Sequence, residues 1–224
     1  MIPMLRPKHN QTPPHPLFAL LILIFIFSAG CNRGAPAIGT YTQEGLSPGS
    51  EPTQEPIREA QTFTLTTSKG SYTLTPVADY EVTARVVGIE WYSRGWESQL
   101  SPLDLALAWS ELSNLDYHQY ISYSQRGRWY YYKYKPNCPF DVNYITNHSA
   151  NHHIIPANAN IRSAIKTIKR DNLVGIKGCL INIKGESGGR NYWWNTSTRR
   201  DDSGGGSCEI VYVESLQIGD KIYN

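Results

Sequence analysis

The chain has few charged residues and, beyond its first 30 positions, no excess of either sign. Charged residues make up 18% of the 224 residues, and the leading segment contributes Arg6 and Lys8 but no acidic residue. Without those two, the 21 basic residues fall to 19 and equal the 19 acidic residues. A neutral chain lacks the positive field that non-specific nucleic-acid binding requires. We therefore expect no nucleic-acid partner.

The glycine-rich segment also lacks what a phosphate-binding loop needs. Ser203-Gly-Gly-Gly-Ser207 is not followed by Lys-Ser/Thr, and it leads into a predicted strand rather than a helix. We predict a loop between two strands there. Nothing else in the sequence indicates a cofactor, and we expect none.

The N-terminus has the features of an export signal. Residues 17–29 form an apolar run that is too short for a bilayer span and follows the basic Arg6 and Lys8. The run ends in Ser-Ala-Gly-Cys31, which resembles the lipobox of bacterial lipoproteins. That resemblance implies removal of residues 1–30 as a lipoprotein signal peptide and acylation of Cys31. An uncleaved signal anchor is the alternative, and either would place the rest of the chain beyond the cytoplasmic membrane.

The composition divides the remaining chain into two parts. Residues 31–60 are rich in Pro and Gly and poor in large apolar residues, so we predict a flexible tether. Residues 61–224 are long enough for a single globular domain with its own core. Asn32, which replaces the Asp that commonly retains lipoproteins in an inner membrane, favours the outer membrane by the same resemblance.

The pattern of the domain predicts an α+β fold. Two helices, starting near Ser101 and at Asn158, accompany about eight strands, so we expect an antiparallel, strongly curved sheet or a small barrel. A barrel like that of the oligonucleotide/oligosaccharide-binding (OB) fold is the narrower form of this prediction. Two hairpins are predicted, around 68–70 and 125–127, and residues 136–157 are predicted to be a long loop.

Three histidines in that predicted loop are the first candidate site. His148, His152 and His153 lie within six residues, and imidazole binds metals and shuttles protons near neutral pH. The spacing does not match the helical zinc motif, because Ser149 follows His148, and we predict no metal. A polar loop whose His and Asn side chains cap backbone groups is the alternative.

Aromatic residues are the second candidate. The alternation of a strand would place Trp129 and Tyr131 on one face and Tyr130, Tyr132 and Tyr134 on the other. Exposed Trp and Tyr rings could stack on sugars or anchor a protein, and Trp193 on a predicted neighbouring strand would add to that surface. Ordinary packing within the sheet is the alternative.

Three cysteines remain after Cys31. Cys138, Cys179 and Cys208 could form one disulfide in an oxidising compartment, but the pairing does not follow from the sequence. Cys179 lies among aliphatic residues and is predicted to be buried. A nucleophile formed by Cys138 with His148 is a further hypothesis.

Two strings resemble a family of bacterial secreted or membrane-associated proteins without an assigned activity. They are Ser-Pro-Leu-Asp-Leu-Ala-Leu-Ala-Trp at 101–109 and His-Ser-Ala-Asn-His-His-Ile-Ile-Pro-Ala at 148–157. His152 occupies a variable position of the second string. The resemblance therefore ranks His152 below His148 and His153 as a candidate site residue, and it implies no substrate.

These features lead to two functional hypotheses. The first is a lipid-anchored, extracytoplasmic binding or assembly module of the cell envelope, with an envelope protein or glycan as partner and with Trp129, Tyr131, Asn151 and Trp193 as binding residues. The second is an envelope-polymer hydrolase or a metal-dependent enzyme that uses His148 and His153, with Asp104 or Glu209 as the orienting carboxylate. The enzyme hypothesis requires the histidines and a carboxylate to meet in a concave pocket. A purely structural lipoprotein, with neither a pocket of this kind nor exposed contiguous aromatics, is the remaining alternative.

Overall fold

A computed structural model describes residues 46–224 of the chain. This part forms eleven strands, three short α-helices and three 3₁₀-helices. The strands are β1 (Thr53–Pro56), β2 (Phe63–Thr67), β3 (Gly70–Trp91), β4 (Leu103–Ala108), β5 (Ile121–Arg126), β6 (Trp129–Tyr134), β7 (Ser149–Pro156), β8 (Leu173–Ser187), β9 (Arg190–Trp194), β10 (Glu209–Ile218) and β11 (Lys221–Tyr223). The helices are α1 (Glu97–Leu100), α2 (Val142–Asn147) and α3 (Ala159–Ala164), and the 3₁₀-helices are Ser110–Ser113, Leu115–Tyr117 and Ile165–Thr167.

Nine of these strands form one curved, mixed sheet. Its central path runs β3-β4-β7-β10-β8, and β8 pairs in turn with β3, so the pairings of these five strands form a cycle. The predicted α+β class with a curved sheet is confirmed. The prediction of a purely antiparallel sheet is wrong, because β7 and β10 run parallel.

The length of β3 is what allows one strand to contact so many others. Over its 22 residues it pairs with β2, β1 and β4 in succession on one side and with β8 on the other. The register shifts between Pro76 and Ala78 and again between Val86 and Gly88. Such irregularities bend a strand and increase its twist, and so curve the sheet.

The largest core cluster lies on the concave side of the sheet. On β4 and β7, alternate residues such as Leu105 and Ile154 point into it, while their neighbours point outward. Helix α3 covers one end with Ile161 and Ala164, capped by the Asn158 side chain. The predicted helix 158–170 is therefore confirmed in position but is shorter, since its last part is a 3₁₀ turn.

The predicted helix after Ser101 is wrong, because Leu103–Ala108 is strand β4. All six of its residues are buried, since the concave core covers one face and the β5–β6 hairpin covers the other. A strand buried on both faces shows no alternation of apolar and polar residues, so its pattern resembles that of a buried helix.

The predicted long loop 136–157 is also wrong. Residues 142–147 form α2, with Asp141 as its N-cap, and Ser149–Pro156 form the central strand β7. This strand can be buried although its sequence is polar, because its Asn and His side chains contact other buried polar groups. Both predicted hairpins are confirmed, as β2–β3 and β5–β6.

The folded region begins before the expected boundary at residue 61. Thr53–Pro56 forms β1 on the edge of β3, and Glu51 accepts a hydrogen bond from the Trp109 indole at 2.9 Å. Cys31 and the predicted signal peptide lie outside the described residues. Within 46–224 there is no helix with the length and apolar character needed to cross a membrane.

Candidate functional site

The candidate site lies on the convex side of β4 and β7. Asp104 of β4 is in register with His153 of β7, and Asn151 lies two residues before His153, so all three side chains share one face. All three are nearly fully buried. The β5–β6 hairpin and the loop between β9 and β10 cover them.

Arg128, at the tip of the hairpin, connects the cover to the sheet. Its guanidinium donates to Asp104 Oδ1 at 2.6 Å and to the Ser101 carbonyl oxygen at 2.8 Å. It also lies 3.7 Å above the ring of Tyr92, whose hydroxyl oxygen accepts a hydrogen bond from the Arg128 amide. Arg128 has φ of 72°, a left-handed conformation that costs energy outside glycine, so these contacts hold the tip in place.

His153 approaches the same carboxylate. Its Nδ1 lies 2.9 Å from Asp104 Oδ1, an ion-pair distance, although the ring does not direct an N–H along that line and Nδ1 has no well-formed hydrogen bond to a described residue. The ring packs against Trp194, with centroids 4.5 Å apart. Asp104 thus lies within ion-pair distance of both Arg128 and His153 in a largely buried site.

Asn151 completes this group. Its amide nitrogen lies within 3.5 Å of Asp104 Oδ2 and within 3.3 Å of the Arg128 carbonyl oxygen, and its own oxygen accepts from Gln125 at 2.7 Å. Gln125 of the β5–β6 hairpin packs onto Gly88 of β3, where a Cβ would collide with its side-chain amide. Asn151 therefore orients Asp104 from the side opposite to Arg128.

Two exposed tryptophans border an open cavity of about 310 Å³ above this group, which we call the outer cavity. Trp129 is 46% exposed and Trp193 is 73% exposed, and both line it together with Arg128 and His153. The glycine loop 204–206 forms another wall and passes close to the Trp129 ring. Tyr131 is exposed on the face of Trp129, as predicted, but it does not line the outer cavity.

A second, smaller cavity of about 130 Å³ lies next to it, and we call it the inner cavity. Trp129, Gly204 and Cys208 line both cavities, so the two are adjacent. Glu209, the first residue of β10, and Arg200 line only the inner one. Arg200 donates to Glu209 Oε1 at 2.6 Å, whereas the buried Oε2 has no hydrogen-bond partner among the described residues.

Burial controls protonation in this region. It raises the pKa of Glu209 to about 8, although Arg200 acts in the opposite direction. It lowers the pKa of His152 to about 3, so that imidazole is neutral. Because His152 Nδ1 faces the Ala150 carbonyl oxygen, Nε2 accepts a hydrogen bond from the Tyr80 hydroxyl at 2.8 Å.

The three histidines do not converge. His148 contacts Glu51 at 3.0 Å and stacks on Tyr144, His152 points into the concave core, and His153 faces Asp104. Among residues 46–224, no three His, Cys, Asp or Glu side chains are arranged to hold a metal ion. The enzyme hypothesis that pairs His148 with His153 therefore lacks its required geometry, and Glu209 belongs to Arg200 rather than to either histidine.

The cysteines among the described residues are all free thiols. Cys179 is buried, as predicted, and Cys138 packs beside the aromatic residues of the β5–β6 hairpin. Cys208 lies 3.7 Å from the Asn151 amide nitrogen, and burial raises its thiol pKa to about 12. A protonated thiol is a poor nucleophile, which disfavours catalysis by Cys208.

Sequence analysis missed Arg128, Arg200 and the pairing of Glu209. The Gly127-Arg128 turn indicated a hairpin, but nothing in it indicated a buried ion pair. The sequence also contains one Gly-x-Ser-x-Gly string, at 185–189, the pattern that surrounds the nucleophilic serine of many hydrolases. The structure places it at the β8–β9 hairpin turn, not at the strand-to-helix turn that a hydrolase nucleophile requires.

No protein-family model, curated protein or solved structure matches the chain.

Proposed function

We propose that this protein is a glycan-binding module of the bacterial cell envelope, held at a membrane by a lipid on Cys31 and exposed on the extracytoplasmic side. The proposal combines the export and lipidation pattern of residues 17–31 with the outer cavity. A domain without net charge suits a module that contacts a neutral polymer near the membrane surface.

We further propose that the five strands of the pairing cycle form an OB-like barrel. The support is the order of pairing, with β3, β4, β7, β8 and β10 as its first to fifth strands, the parallel β7–β10 pair, and α3 between β7 and β8. In OB folds the face of the second and third strands, with the adjoining loops, binds oligosaccharides and oligonucleotides. Asp104, Asn151 and His153 lie on that face here.

The observation that carries the proposal is the pairing of Trp129 and Trp193 above a polar floor. The Trp129 and Trp193 rings together form an exposed apolar patch on one concave surface, and such patches with polar surroundings mark ligand-binding grooves. The rings would stack on sugar faces, and Arg128 and His153 below would face sugar hydroxyls. An anionic polymer such as a nucleic acid binds to a positively charged surface, so a domain without net charge favours a neutral glycan as the ligand.

The test is binding of the full-length, detergent-solubilised chain to insoluble peptidoglycan. Changing both Trp129 and Trp193 to Ala should weaken binding by about 2 kcal/mol, or roughly thirtyfold, because exposed aromatic anchors dominate such interfaces. Trp91→Ala is the matched control, since Trp91 is 47% exposed but lines neither cavity. Equal binding by the double variant and the control would refute the proposal.

A second candidate is a hydrolase of the same polymer in which His153, beside Asp104, acts as a general base. It is supported by the 2.9 Å approach of the two groups at the floor of the outer cavity. Mass spectrometry of peptidoglycan incubated with the protein tests it. Soluble fragments released by the wild type but not by His153→Gln would support catalysis, and the absence of fragments would exclude it.

A further inference from the structure

The inner cavity contains a buried carboxyl oxygen that the described residues do not use. Glu209 Oε1 accepts from Arg200, but Oε2 is buried without a hydrogen-bond partner among residues 46–224. Because burial raises the pKa of Glu209 to about 8, the carboxyl is protonated near neutral pH, and since Arg200 occupies Oε1 the proton lies on Oε2. A buried O–H group without a partner is costly, so it indicates a place where a bound group can accept a hydrogen bond.

The charges that line the inner cavity favour a neutral group over an ammonium. Two basic residues, Arg199 and Arg200, and two acidic ones, Asp202 and Glu209, line it, and their formal charges cancel. The raised pKa of Glu209 shifts this balance toward positive charge near neutral pH. An ammonium group would gain no net attraction there and would lose its hydration.

The walls add an apolar requirement. Trp109, Tyr130 and Tyr132 line the inner cavity beside Glu209. At about 130 Å³ it approaches the size of an engineered cavity of about 150 Å³ that binds benzene, so it admits a group of only a few heavy atoms. A small group that carries both a carbonyl acceptor and an apolar end meets all three requirements.

We propose that the inner cavity is a subsite for the acetamido group of an N-acetylated amino sugar, whose carbonyl oxygen accepts a hydrogen bond from Glu209 Oε2–H while its methyl group packs against the aromatic walls. This inference rests on the proposed glycan binding, since the sugar ring would reach the subsite from the outer cavity. Trp129 borders both cavities and would contact the ring at the passage between them.

The test compares two soluble ligands, the β-1,4-linked trimer of N-acetylglucosamine and its fully de-N-acetylated counterpart. Isothermal titration calorimetry with the full chain in detergent should show at least about tenfold tighter binding of the N-acetylated trimer. Glu209→Met should abolish this preference, because it removes the O–H donor, whereas Glu209→Gln should keep it, because the Gln oxygen still accepts from Arg200 and its NH₂ group donates in place of Oε2–H. Glu214→Gln, on the exposed side of the same strand, should keep it.

Each outcome decides the inference. Equal or tighter binding of the de-N-acetylated trimer by the wild type would overturn it, and this comparison holds even if Glu209→Met fails to fold. If both trimers bind equally but lose affinity in the Trp129/Trp193 double variant, glycan binding survives and only the acetamido subsite fails. If neither trimer nor peptidoglycan binds the wild type, the proposed function fails and the subsite with it.

Discussion

Replacing Glu209 by Gln should change how the stability of the domain depends on pH. The pKa of Glu209 rises from 4.5 to about 8 on folding, so between these values the folded state binds a proton that the unfolded state does not. The free energy of unfolding therefore falls as pH rises through this range, by about 1.4 kcal/mol per pH unit. The stabilisation is complete below pH 4.5 and is lost as pH rises toward 8.

His152 has the opposite effect over a lower range. Its pKa falls from 6.5 to about 3 on folding, so between these values only the unfolded state binds the proton. Acidification through that range therefore lowers the free energy of unfolding. From pH 4.5 to 6.5 the contributions of Glu209 and His152 to the pH dependence of the unfolding free energy offset each other. From pH 6.5 to 8 only Glu209, among the described groups with a shifted pKa, changes its protonation differently in the folded and unfolded states.

The expected loss between pH 6.5 and 8 is about 2 kcal/mol for the wild type. Urea denaturation followed by tryptophan fluorescence at these two pH values measures it. Glu209→Gln should show no such loss, whereas Glu214→Gln should behave as the wild type does. A wild-type stability that is constant over this range, or a Glu209→Gln variant with the wild-type slope, would refute the assignment of a buried, raised carboxyl.

Three further predictions test the structure by substitution. Arg128→Met should cost about 3 kcal/mol in denaturant unfolding, because it leaves Asp104 buried without its guanidinium, and Asp104→Asn in the same chain should recover part of that loss. Gly178→Ala should cost about 3 kcal/mol in thermal unfolding, since a Cβ there would overlap the Tyr212 carbonyl oxygen; an unchanged melting temperature would contradict the β8–β10 pairing. His148→Ala should leave the affinity for insoluble peptidoglycan unchanged in the binding test described above, and a loss of affinity would place His148 in the site.

Local patterns predicted the hairpins because the relevant forces act between near neighbours. The Ser68–Gly70 and Gln125–Gly127 turns and the alternation of their flanking residues suffice to identify β2–β3 and β5–β6. Two other predictions succeed because they use local signals. Alternation placed Trp129 and Tyr131 on one face of β6, and aliphatic neighbours predicted that Cys179 is buried.

Burial on both faces defeated the same reasoning for β4 and β7. Strand β4 was predicted to be a helix because burial on both faces leaves its sequence without alternation of apolar and polar residues. Strand β7 was predicted to be a loop because its histidines and Asn151 are polar. In each case the missing information was the partner strand. The polarity of Asn151 and His153 is compatible with burial because Asp104 and Gln125, from other parts of the chain, supply the complementary groups.

The sequence by itself determined the α+β class, the two hairpins and the candidate residues Asp104, Trp129, Asn151, His153 and Trp193. Only the tertiary structure decided that His153 rather than His148 meets Asp104, that Arg128 joins them, and that Glu209 belongs to Arg200 in a separate cavity. The reason is physical: local periodicity specifies which way a side chain points, but a buried charge is stabilised by whichever partner the strand register brings within about 3 Å.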